Sequence, residues 1–286
     1  MRPLFTGLRL TVVALFGVYL FLYPFSLTLV ALDQVPVWGT WMGGALLILQ
    51  GTLMGLWLSV NFGRWGAFAT VWILFLSWLI EHVGATTGFP FGAYSYTDVL
   101  RPKILDVVPL AIPFAWLLIV PAAVAVGEMV LWRDGTPQDS DRRMLTSRIL
   151  MGASLALLLD VTIEPFAVNI NQYWVWCDPA AGAYYGIPIS NFVAWFFTSL
   201  ILSWVLLTYR ARAAAVPTIA NPSRFWSWLP VTLYFTNLTM FIVVNLARGQ
   251  GFAALIGLLI ILALVGYWSL PRLTRLLRGA TQKSGA

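Results

Sequence analysis

Between residues 10 and 270 the chain is a succession of apolar stretches, each close to the roughly 20 residues that an α-helix needs to cross a bilayer. They cover residues 10–32, 38–60, 65–80, 107–131, 145–168, 188–209, 226–246 and 252–270. Turn chemistry or charge separates them, as in Asp33-Gln34-Val35-Pro36, Asn61-Phe62-Gly63-Arg64 and Arg133-Asp134-Gly135-Thr136-Pro137. Only 10% of the residues are charged and 60% are apolar, against about 25% and about 45–50% in soluble domains. A water-soluble fold would need polar surface that these residues do not supply. Disorder is excluded by the same composition, since 15 Trp, 18 Phe and 10 Tyr give ample apolar surface to bury. The first stretch is too long for a signal-peptide core and no small-x-small cleavage site follows it. The expected fold is all-α: a polytopic transmembrane helical bundle of eight spans, forming one integral membrane domain over residues 1–286.

The net charge of +6 belongs to topology in such a chain. With eight spans, fourteen of the 17 Lys and Arg residues fall on the side that holds the N-terminus, the second, fourth and sixth loops and the C-terminal tail. The other side holds only Arg101, Lys103 and Arg248. Both termini are therefore expected in the cytoplasm, with the chain in the plasma membrane and no nucleic-acid partner. A single cysteine, Cys177, excludes a disulfide framework, and a single histidine, His82, excludes a His-rich metal cage. No metal is expected.

Scarcity of charge makes the remaining acids conspicuous, because an ionisable group at bilayer depth is costly unless it is paired or wetted. Glu128 lies near Arg133 and is expected to pair with it at the interface. Asp160 and Glu164, four apart in Asp160-Val-Thr-Ile-Glu164-Pro165, share one helix face at about 6 Å. Two anions so placed in low dielectric are not both comfortable, so one of the two is expected to keep its proton. Pro165 removes a backbone donor and should kink or end the helix there. Glu81 and His82 are expected to close the third span, on the same outer side.

Two loops follow these acids, residues 83–106 and 169–187, and both are rich in aromatics and glycine. One carries Tyr94 and Tyr96; the other carries Asn169, Asn171, Trp174 and Trp176, with Asn191 opening the next helix. Rings at helix ends also form ordinary interfacial belts. Here the loops are expected to fold back and roof a single site built by the third and fifth spans.

The segment Glu81-His82-Val-Gly84 … Thr87-Gly88-Phe-Pro90-Phe91-Gly92-Ala-Tyr94-Ser-Tyr96-Thr97 resembles the signature of the carotenoid-biosynthesis membrane protein family. A second block, Asp160-Val-Thr-Ile-Glu164-Pro165 … Tyr173-Trp174-Val-Trp176 … Tyr185-Gly186-Ile-Pro188-Ile-Ser-Asn191-Phe-Val-Ala-Trp195, is similar to that family too. Characterised members are carotenoid 1',2'-hydratases, of the γ-carotene and bisanhydrobacterioruberin kinds. The resemblance implies addition of water across a terminal trisubstituted isoprenoid double bond to give a tertiary alcohol. The implied partners are a carotenoid, water, the lipid bilayer and other carotenoid-biosynthesis enzymes. No catalytic residue is carried over from the family.

The chemistry asks for a protonated carboxylic acid, walls that tolerate a carbocation, and a positioned water, with no cofactor. Asp160 is the expected proton donor, kept protonated by Glu164 and by burial, although spacing alone does not separate the two. Glu81, with His82 beside it, would orient the water and take its proton. Tyr94, Tyr96, Trp174 and Trp176 would face the cation, and Asn191, with Asn169 or Asn171, would hold the water. Intramembrane carboxylates also serve proton-coupled transporters, and a non-catalytic scaffold is a third reading. The absence of an internal repeat and the gathering of polar residues towards one leaflet favour the enzyme.

Overall fold

Gly63 decides the course of the longest helix. In the computed structural model, which describes residues 2–132, 142–215 and 224–283, helix α2 runs over Met42–Thr87, 46 residues. Straight, it would be about 69 Å long, twice a bilayer core. At Gly63, however, φ is 59° and ψ is −141°, a conformation open to glycine and strained for any other residue. The chain doubles back there. Gly66 lies so close to the Leu58 carbonyl that a Cβ would stand 2.0 Å from it. Thr70 Oγ1 donates to Gly66 O at 3.0 Å and reaches Gly55 O at 3.4 Å across the hairpin. Where a four-residue break was expected at residues 61–64, a single residue leaves the helical region. A second expectation also fails: the outgoing limb does not stop at Glu81–His82. It continues to Thr87 and is capped by Gly88, whose N–H donates to Gly84 O at 2.8 Å with φ at 78°.

The other helices are α1 (Arg2–Ala31), α3 (Ala111–Leu131), α4 (Arg142–Pro165), α5 (Ile189–Ala214), α6 (Arg224–Ala247) and α7 (Gly251–Lys283). Among the described residues, seven helices are long and apolar enough to cross a membrane, the α2 hairpin being counted as one. The molecule is thus an all-α polytopic bundle with one continuous apolar core. Helix α3 is the most enclosed, between α2 and α4. Helices α1 and α7 flank the bundle and turn Phe21, Phe25, Leu258 and Leu262 outward, as lipid-facing helices do.

Small residues let the inner helices approach, the means of packing where water supplies no drive between helices. Gly51 lies against the Phe114 backbone, Gly55 against Thr70 and Leu117, and Gly127 and Gly152 against Met151 and Val124. Gly43 accommodates the Tyr173 hydroxyl, and Gly44 meets Leu100 and Ala111. The glycines of the first limb are therefore spent on contacts within the chain.

The two aromatic loops are not irregular. Strand β1 (Tyr94–Tyr96) pairs antiparallel with β4 (Trp174–Trp176), placing Tyr94 opposite Trp176 and Tyr96 opposite Trp174. Bonds from Thr97 N to Tyr173 O (3.0 Å) and from Cys177 N to Ala93 O (2.9 Å) extend the ribbon at its ends. A second ribbon joins β2 (Lys103–Ile104) to β3 (Val108–Pro109). Helix α4 ends at Pro165, which has no N–H to continue the ladder. A π-helical turn over Phe166–Ile170 then leads the chain into β4.

At the opposite end of the bundle, Glu128 pairs with Arg148 and Arg210. Arg148 Nε donates to Oε1 at 2.9 Å and Arg210 Nη2 to Oε2 at 3.1 Å. Arg133 and the turn over residues 133–137 lie outside the described residues.

Candidate active site

Glu81 is 5% exposed and Glu164 1%, and both line one cavity of about 680 Å³ that reaches from the β1–β4 ribbon to helix α1. Glu81 stands on the outgoing limb of α2, nearly two turns before the helix ends. Three donors converge on it. Tyr94 and Tyr96 each donate a phenolic O–H to Oε2 at 2.7 Å, and Trp116 of α3 donates its indole N–H to Oε1 at 2.8 Å. Among the described residues Glu81 only accepts hydrogen bonds, the pattern of a carboxylate. Burial, and after it the neighbouring Glu81, push the Tyr94 and Tyr96 phenols above their ordinary range. Both therefore remain O–H donors.

Glu164 is held by different partners. Trp174 Nε1 donates to Oε2 at 3.3 Å, and Asn191 Nδ2 donates to Oε1 at 3.0 Å. The same amide reaches Asp160 Oδ2 at 3.4 Å, so Asn191 bridges the two acids from the first turn of α5. Asp160 is fully buried, does not line the cavity, and its Oδ1 has no hydrogen-bond partner among the described residues. No Lys, Arg or His pairs with Glu81, Asp160 or Glu164 among the described residues. Charge on these acids is met only by neutral N–H and O–H groups.

The ribbon brings the aromatics together by register. Alternate residues of a strand point to one face, so Tyr94, Tyr96, Trp174 and Trp176 share the side towards the acids. Ser95 and Val175 lie on the exposed side. Ring centroids of Tyr94 and Trp176 are 5.3 Å apart, and those of Tyr96 and Trp174 are 6.0 Å apart, edge to face. Trp176 Nε1 is buried without a hydrogen-bond partner among the described residues. Across the cavity, Trp116 and Trp195 stack at 4.0 Å.

Two of the expected site residues do not line the cavity. His82 is one residue from Glu81, and that step of about 100° on a helix turns it off the cavity. It packs on Trp78 with centroids 5.5 Å apart and is absent from the cavity lining. Asp160 was expected to deliver the proton, yet it sits behind the wall that Glu164 forms. Of the asparagines, Asn191 and Asn171 line the cavity while Asn169 is exposed away from it.

Other lining residues escaped the sequence reading. Trp116 and Trp195 look like ordinary members of apolar spans; the available signal was an indole N–H in mid-span that needs a partner. Gln50 and Asn237 are uncharged amides at depth, which the cost of burying an ionisable group does not single out.

Known proteins can be set against this geometry. The family described as carotenoid biosynthesis protein matches residues 42–264, which include the hairpin, both ribbon strands and all three acids. A bisanhydrobacterioruberin hydratase from Haloarcula japonica is 28% identical over 204 residues, covering 68% of this chain and 62% of that protein. The match thus spans less than two thirds of that relative. No solved structure matches. With the family's match running through most of the bundle and every residue of the buried acid site, the chain belongs to the carotenoid biosynthesis protein family.

Proposed function

We propose that this protein is a carotenoid 1',2'-hydratase, a hydro-lyase that adds water to the terminal alkene of an acyclic carotenoid end of the γ-carotene or lycopene type. The observation that carries the reading is the pair of separately held acids, Glu81 and Glu164, facing one apolar cavity beneath four aromatic rings. The family membership and the similarity to a bisanhydrobacterioruberin hydratase support the chemistry.

In this mechanism the Asp160–Glu164 pair holds one proton between two carboxyls, since two buried anions bridged by a single amide would be uncompensated. Glu164, on the cavity wall, gives that proton to the less substituted alkene carbon. The π electrons form the new C–H bond and leave a tertiary cation at the neighbouring carbon. The faces of Tyr94, Tyr96, Trp174 and Trp176 and the charge of Glu81 stabilise that cation, each desolvated π contact contributing about 2 kcal/mol. Water then adds its oxygen to the cation and yields a proton to Glu81. Proton exchange with solvent restores both acids, and the sum is one water added. The residues call for no cofactor.

We count the two limbs of the Gly63 hairpin as separate crossings, eight in all, and the basic residues then sort as described above. We place both termini in the cytoplasm, the ribbon outside, and the chain in the plasma membrane.

The direct test is to express Glu164→Gln and Glu81→Gln in cells that accumulate γ-carotene or lycopene. Loss of the 1'-hydroxy product is expected from both. Full hydroxylation by either variant would remove that acid from the mechanism. With the purified protein in ¹⁸O-labelled water, label should enter the alcohol; oxygen derived from O₂ instead would make the protein an oxygenase.

A further inference from the structure

Midway down the same cavity is a polar pair that the mechanism does not use. Gln50, on the first limb of α2, is 5% exposed, and Asn237, on α6, is 7% exposed. Asn237 Nδ2 donates to Gln50 Oε1 at 2.7 Å and to Leu233 O of its own helix at 2.8 Å. Both amide hydrogens are thereby committed, which fixes the orientation of the side chain. What remains is the Gln50 Nε2 group, a donor, and Asn237 Oδ1, an acceptor. Neither has a partner among the described residues, and both side chains line the cavity. One turn along the same helices the cavity wall is apolar, with Leu46 and Leu47 before Gln50 and Met240 after Asn237.

A link between helices would need only the one bond between the two amides. Here an unused donor and an unused acceptor stand together in an apolar chamber, where unmet polar groups are costly. The group complementary to both is a hydroxyl, which accepts from Nε2 while donating to Oδ1. A ketone or ether could satisfy only the donor.

The depth is set by the hairpin. Gly55 meets Thr70 across it, so Glu81 is level with residue 44, and Gln50 lies six residues further towards the turn, about 9 Å. We propose that Gln50 and Asn237 are a second station of the substrate cavity, able to bind a hydroxyl carried at about that distance from the reacting alkene. The site then binds an isoprenoid end that already bears such a hydroxyl more tightly than the hydrocarbon ends of γ-carotene and lycopene, which the cavity still admits. This rests on the hydratase reading for the identity of the reacting end, and on the cavity alone for the hydroxyl.

The test uses tritiated geraniol, an isoprenoid alcohol of comparable hydroxyl-to-alkene length, and tritiated 2,6-dimethylocta-2,6-diene, its skeleton without the hydroxyl. Equilibrium binding to the full chain in detergent is referred to each probe's partition into protein-free micelles. Geraniol should bind roughly tenfold more tightly, as expected for hydrogen bonds made out of water. The ratio should fall below about twofold in Gln50→Leu and in Asn237→Leu, with hydrocarbon binding unweakened. Equal binding of the two probes to the unmodified protein would overturn the proposal, and is the result if the amides hold only water. A ratio that survives both substitutions would overturn it as well. Binding needs no turnover, so the two readings separate: a geraniol preference without ¹⁸O-labelled product leaves the station standing and the hydratase not, and labelled product without preference does the reverse.

Discussion

At the scale of single residues, the site divides labour between three acids according to what each can touch. Glu164 reaches the cavity, Asp160 stands behind it, and Asn191 ties the two together. Asp160→Asn should therefore be milder than Glu164→Gln. The expected loss in product formation is about 10²-fold or more for Glu164→Gln, in the range of a general acid, and roughly tenfold for Asp160→Asn. Equal losses would argue that the pair acts as one unit. His82→Ala should change activity less than about threefold, because the imidazole packs on Trp78 rather than facing the cavity. A loss comparable to that of Glu81→Gln would return His82 to the site. Spacing on the helix disclosed that Asp160 and Glu164 share a face; which of them looks into open space depended on α5 and the ribbon closing over them.

At the scale of elements, two devices build the cavity: the Gly63 hairpin and the aromatic ribbon. Gly63→Ala puts a Cβ on a backbone at φ 59°, ψ −141°, a strain of about 1–3 kcal/mol. It should lower the thermal unfolding temperature in detergent by several degrees, read by tryptophan fluorescence; an unchanged transition would mean the turn tolerates a side chain. The hairpin was half legible. Asn61-Phe62-Gly63-Arg64 marked a break, while its tightness came from Gly66 and Gly55 admitting the opposing limb. The ribbon was legible only as two aromatic loops. Strands of three residues carry almost no periodic signal, and their partners are about 80 residues apart, so the pairing of Tyr94 with Trp176 arises from helix packing.

At the scale of the whole molecule, the lone cysteine offers a topology probe. Cys177 is exposed and adjoins the end of the ribbon. If the ribbon lies outside, a membrane-impermeant maleimide should label Cys177 in right-side-out vesicles without detergent, and Cys177→Ser should abolish the signal. Labelling only in inverted vesicles would reverse the proposed orientation. At the same scale, α1 turns large apolar residues outward and lines the cavity with Tyr19, Tyr23 and Leu29, which places it beside the proposed carotenoid substrate.

Hydrophobic length by itself determined that this chain is a helical membrane bundle, because apolar stretches of about 20 residues match a helix that closes its own hydrogen bonds across the lipid, whereas barrel strands need only about half that length. The rarity of charge likewise singled out Glu81, Asp160 and Glu164, since a bilayer makes each of them expensive. Only the tertiary structure decided that Glu81 and Glu164 share a chamber and that Asp160 and His82 do not face it. It also supplied the partners, Tyr94, Tyr96, Trp116, Trp174 and Asn191, and the buried Gln50–Asn237 pair. The reason is physical: cost at depth is a property of one residue in its segment, whereas exposure to a cavity belongs to the gap left between segments when they pack.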